Sequence, residues 1–235
     1  MSEKLGWYRK GIRDGLPIGL GYLAVSFSFG LMAAKAMTVG QAMMMSSLNL
    51  TSAGQFSALQ LLLSGGGYWE LALSQLIINL RYCLMSFTLS QRVDPDLSLA
   101  HRMGIAFGNT DEIFALSASA ETPLRPSYVY GMMSMAVPGW TLGTLLGAAA
   151  GSVLPSAVLS ALGVTLYAMF CAIVIPPAAK DRSLFLVVIL SMAASLFFAA
   201  APGLRSISGG MRVIVLTVVI SALVAVFRPV REDRA

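Results

Sequence analysis

Charge is what this sequence is short of. Asp, Glu, Lys and Arg make up 11% of its 235 residues, where a soluble domain carries about 25%. With 57% hydrophobic residues and a mean hydropathy of +0.76, the chain reads as a polytopic membrane protein. Cysteine is scarce too. Cys83 and Cys171 both lie in apolar stretches without the partner spacing of a zinc or redox site, which excludes a disulfide framework. The one histidine, His101, cannot build a His-rich metal centre. Neither His-Glu-x-x-His nor Gly-x-Ser-x-Gly occurs, so the sequence predicts no enzyme, metal or cofactor. The net charge of +5 comes from basic residues scattered through short loops rather than a stripe. They signal topology and a lipid bilayer, and predict no nucleic-acid partner.

What is abundant is apolar sequence. Segments at 16–36, 41–63, 69–90, 103–118, 127–150, 157–178, 183–201 and 211–228 are candidate spans. The first follows Lys4, Arg9, Lys10 and Arg13 in the manner of a signal peptide, but Leu16 to Ala34 is too long for a signal h-region and reads as a retained span. Two segments are unlike lipid-facing helices. Ser46, Ser47, Asn49, Thr51, Ser52, Gln55, Ser57 and Gln60 crowd the second, and Gly108-Asn109-Thr110-Asp111-Glu112 interrupts the fourth. Such groups need protein or water around them, so both segments are expected to be broken or re-entrant. If all eight cross, Lys and Arg divide 10 inside to 5 outside; if those two turn back, 12 to 3. The expected fold is therefore all-α, with about six full transmembrane helices and two broken or re-entrant segments, eight spans being the alternative. Both versions make residues 1–235 one membrane domain with both termini cytoplasmic.

Small residues and prolines suggest how the helices meet. Gly139, Gly143, Gly147 and Gly151 form one stripe, and Gly11, Gly15 and Gly19 repeat the spacing. A stripe opening each half points to an internal repeat with halves 1–120 and 121–235, and equally to ordinary close packing. Pro17, Pro138, Pro176, Pro177 and Pro202 are expected to bend or break their helices.

Arg81 is the costliest residue in the chain. It stands near the middle of an apolar run, where a guanidinium costs about 2.5–3.5 kcal/mol, so it must face a bundle interior, a cavity or a carboxylate. Asp111 and Glu112 are the candidate partners, as an ion pair or a proton-coupling element. They also suit the first turn of a helix capped by Thr110. Gln75, Asn79, Tyr82 and Ser86 form one polar row on the third segment, while Ser74, Arg81 and Thr88 form another. Ser52 and Gln55 share a face of the second and can fix a solute's polar end without the desolvation cost of a charge. Hydrogen bonding between helices is the competing role for each of these residues.

Ser52-Ala53-Gly54-Gln55-Phe56, Asn79-Leu80-Arg81-Tyr82 and Thr110-Asp111-Glu112, in this order and spacing, resemble the AzlC family, the large subunits of bacterial branched-chain amino-acid exporters. Gly139-Trp140-Thr141 with Gly143 and Gly147 extends the resemblance over nearly the whole chain. It departs where Ser52 takes a position usually held by glycine, and where Tyr82 replaces a common histidine. The resemblance implies a small AzlD-type membrane partner, export of valine, leucine or isoleucine, and coupling to the proton gradient, in a bacterial cytoplasmic membrane. On that reading Ser52, Gln55, Asn79 and Arg81 bind the substrate, with Asp111 or Glu112 as the acidic element. A non-transporting scaffold or a small-solute channel is the alternative.

Overall fold

A computed structural model describes residues 2–151, 171, 174–176, 178–201, 203, 207 and 209–227. Among these every regular element is an α-helix. The helices are α1 (Ser2–Ala33), α2 (Val39–Leu48), α3 (Ser52–Leu63), α4 (Tyr68–Ser90), α5 (Leu99–Phe107), α6 (Asp111–Ala118), α7 (Pro126–Gly151), α8 (Arg182–Ala200) and α9 (Gly209–Phe227).

Both segments expected to be broken are broken. The apolar run 41–63 divides into α2 and α3 around residues 49–51, and the run 103–118 into α5 and α6 around residues 108–110. Local chemistry accounts for each interruption. Asn49, extended at φ −143°, accepts the Thr51 backbone N–H on its own side chain at 3.1 Å, an Asx turn that competes with helix. Gly108 ends α5, and the Thr110 side chain caps α6 by accepting from Ile113 N–H. Neither break contains a proline. Pro17 and Pro138, expected to bend or break their helices, break neither and lie inside α1 and α7. Pro177 and Pro202 lie outside the described residues.

Three described helices, α1, α4 and α8, are long and apolar enough to cross a bilayer. At 26 residues, or about 39 Å, α7 is also long enough to span the hydrocarbon core. The expected span at 157–178 falls largely outside the described residues. On α8, Leu186, Met192, Leu196 and Phe197 are all 60% exposed or more, a surface that suits lipid and not water.

The chain divides into two compact units, one drawn from residues 1–59 and 79–166, the other from 60–78 and 167–235. In the second unit α8 packs on α9, and Glu70 accepts the Met211 backbone N–H at 3.0 Å where α9 begins. The glycine face between α1 and α7 organises the first unit. Gly11 lies against Tyr128 and Gly131, Gly19 against Met135 and Gly139, and Gly30 against Thr144 and Gly147. Numbers rise together, so the helices run parallel. A methyl group at Gly139 would fall on the Gly19 carbonyl, and one at Gly143 on the Ser26 hydroxyl and the Leu23 carbonyl. Only glycine permits this approach.

That contact also draws α1 past its apolar stretch. Helix begins at Ser2 rather than near residue 16, because Gly11 and Gly15 keep the charged first turns on α7. Tyr128 donates to Asp14 at 2.8 Å, and Lys10 stands 4.8 Å from the Trp7 ring centre. If α1 and α7 are repeat equivalents, the repeat is of the parallel kind, since an inverted one would oppose them.

Candidate functional site

The second half of α4 runs beside both breaks and is tied to each. Thr51, at the first break, donates to Asn79 Oδ1 at 2.6 Å, and Asn109, at the second, donates to Ser86 Oγ at 3.2 Å. One polar row of α4 thus serves both interruptions. Between the breaks lies a cavity of about 220 Å³, walled by residues 48–51, residues 106, 107, 109 and 110, and Asn79 and Tyr82. Its lining mixes amides and hydroxyls (Asn49, Thr51, Asn79, Asn109) with apolar surface from Leu48, Leu50 and Phe107. The volume suits a small solute; drug-sized ligands occupy about 300–1,000 Å³.

Backbone polarity gives the cavity two signs. Helices α2 and α5 end at it with their carbonyl ends, the negative poles of their dipoles, and neither carries a basic residue in its last turn. Helix α3 begins there, pointing its positive pole at the cavity with no acidic residue in its first turn. The start of α6 differs, because Asp111 and Glu112 occupy its first turn.

These two carboxylates are divided between different helices. Arg81 of α4 pairs with Asp111, and Tyr22 of α1 donates to Glu112. The Arg81 guanidinium also lies 5.0 Å from the Tyr82 ring centre. Its partner is a carboxylate, one of the three settings that the cost of the charge allows, and the pair is only half enclosed, with side chains 41% and 48% exposed.

Gln55 occupies a different setting from the one its sequence suggests. It is 0% exposed, accepts from Trp140 Nε1 at 2.7 Å and donates to Ser46 Oγ at 3.1 Å, and Ser46 shares a 2.8 Å hydrogen bond with Thr144. Its amide braces the wall from behind rather than facing the cavity. Ser52 opens α3 directly after Thr51, and Thr51, not Ser52, lines the cavity. Of the expected substrate residues, Asn79 lines it and Arg81 reaches past it to α6. Tyr22 and Thr144 are participants without a sequence signal, while Thr51 is marked there only as part of the polar run and Trp140 only as part of the Gly139-Trp140-Thr141 motif. Tyr22 and Trp140 stack edge to face at 5.3 Å, joining the two networks. Among the described residues no group of three His, Cys, Asp or Glu could hold a metal ion.

The sequence has relatives of the same kind. It is 29% identical over 185 residues to the "Inner membrane protein YgaZ" of Escherichia coli (strain K12), covering 75% of this chain and 76% of that protein. It is 33% identical over 184 residues to an "Uncharacterized membrane protein" of Archaeoglobus fulgidus, covering 74% of this chain and 77% of that one. No solved structure matches. The AzlC protein family matches residues 17–154, which include the glycine face from Gly19 onward, both breaks and the Arg81–Asp111 pair. The chain is a membrane protein of the AzlC family.

Proposed function

We propose that this protein is the large membrane subunit of an exporter of branched-chain or related small apolar amino acids. It works in a bacterial cytoplasmic membrane with both termini inside, beside a small AzlD-type subunit, and draws on the proton gradient. The observation that carries the reading is the cavity between the two helix breaks. An aliphatic amino acid is a zwitterion with an apolar side chain, and this cavity offers both poles and an apolar wall. The carbonyl ends of α2 and α5 suit an ammonium group, the positive pole of α3 suits a carboxylate, and Leu48, Leu50 and Phe107 suit an aliphatic chain.

Asn79 and Thr51 contact the solute in this scheme, and Gln55 holds the wall. Arg81 and Asp111 form the element that changes between states: the pair opens, Asp111 takes up a proton or the solute's ammonium group, and the pair reforms. Glu112, held by Tyr22, is the second acidic group of the cycle. The test is efflux of labelled leucine, valine and isoleucine from proteoliposomes holding this chain and its small partner. Saturable efflux that responds to an imposed proton gradient is expected. Steady unitary conductance would instead identify a channel, and no flux of any aliphatic amino acid would remove the transport reading.

A further inference from the structure

Asn109 is 4% exposed, yet its Oδ1 has no hydrogen-bond partner, while its Nδ2 donates to Ser86. A buried amide oxygen left in this way forfeits what water would have given it, so its place in the fold calls for a reason. That place is a boundary. Asn109 lines the cavity between the breaks and also a second cavity of about 190 Å³ beside it, walled by Ser86, Leu89, Val93, Arg102 and Ile105 among others. Ala106 and Asn109 are common to both linings, and of the two only Asn109 is polar.

The surroundings select the ligand. Asn109 follows the carbonyl end of α5, whose last turn has no basic residue, and no charged side chain lines the cavity between the breaks; Arg102, in the wall of the second cavity, spends its guanidinium on the carbonyls of Asp94, Pro95 and Leu97. An amide oxygen beside a negative helix pole attracts a donor of positive charge and repels a carboxylate. The geometry points to Asn109 as the acceptor for the α-ammonium group of the transported amino acid, at the boundary between the two cavities. Ser86 is the positioning residue: by taking the Nδ2–H it leaves the oxygen as the end offered to the solute. This inference rests on the export reading and names the residue that recognises one end of the substrate.

The test uses labelled-leucine efflux from proteoliposomes with two competitors on the loaded face. 4-Methylpentanoate lacks the ammonium group, and 3-methylbutylamine lacks the carboxylate. The intact protein should prefer leucine to both. In N109A leucine should lose about tenfold or more in apparent affinity. Its advantage over 4-methylpentanoate should vanish while its advantage over 3-methylbutylamine persists. N109D keeps the acceptor oxygens and should restore preference over the acid. S86A, which leaves the oxygen in place but frees the amide to turn, should lower the same preference a few-fold. Unchanged preferences in N109A, or lost preference over the amine instead of the acid, would overturn the assignment while leaving export intact. An absence of efflux by the intact protein would overturn both.

Discussion

The two helix breaks face one cavity but are held by opposite chemistry. Around the first, Gln55, Trp140, Ser46 and Thr144 form a neutral network in which no member is more than 1% exposed. Beside the second, the bonds run from charged groups at the start of α6, Arg81 to Asp111 and Tyr22 to Glu112, and the ion pair is about half exposed. A closed neutral network is stable in one arrangement, because any member that leaves strands a buried donor or acceptor. A half-exposed ion pair has alternatives in water, in protons and in an incoming zwitterion. The difference suits the first break to scaffold and, in the proposed export cycle, the second to movement.

Substitutions at the second break should have the larger effect on transport. Arg81→Ala and Asp111→Asn each leave one charge without its partner, and each should cut leucine efflux about tenfold or more, about 1.4 kcal/mol per tenfold step, with normal membrane insertion. Exchanging the two, Arg81→Asp with Asp111→Arg, should recover part of the flux. Wild-type flux in both single variants would remove the pair from the cycle.

Gln55→Leu probes the first break and should show the reverse pattern. It strands the Trp140 N–H, which costs about 1–3 kcal/mol of stability. Thermal unfolding in detergent should move down accordingly, while the apparent affinity for leucine in the remaining folded protein stays within about twofold. A large loss of affinity at unchanged stability would place Gln55 at the solute after all. Thr51→Val should have the smallest effect. It removes one hydrogen bond to Asn79, worth about 0.5–1.5 kcal/mol, and should change leucine affinity a few-fold at most, read in the same efflux assay.

Both breaks were legible as polar runs inside apolar segments, and the Arg81 ion pair as one costly charge near two acids. These signals are local: a charge at membrane depth demands a partner, and an Asx turn or a glycine at a helix end needs no tertiary help. Gln55 shows where that logic stops. A polar side chain in a membrane must meet something polar, but spacing along one helix does not say whether that is a solute or Trp140, 85 residues away. Tyr22 was silent for a related reason, since a tyrosine in an apolar run is ordinary and its hydroxyl finds Glu112 only after folding. The glycine stripes announced close packing, but not that the partner of each was the other. Prolines do not mark the breaks, because Pro17 and Pro138 are absorbed within helices that the glycine contact holds together.

That contact has a consequence for how the protein is made. Gly19 meets Gly139, so about 120 residues must follow Gly19 out of the ribosome before its partner exists, about 6–24 s at 5–20 residues per second. Throughout that interval the first helix sits in the membrane with its smooth face uncovered and Asp14 still waiting for Tyr128. Helix α1 therefore completes its glycine interface late, and any chain that stalls before α7 leaves that interface unmade.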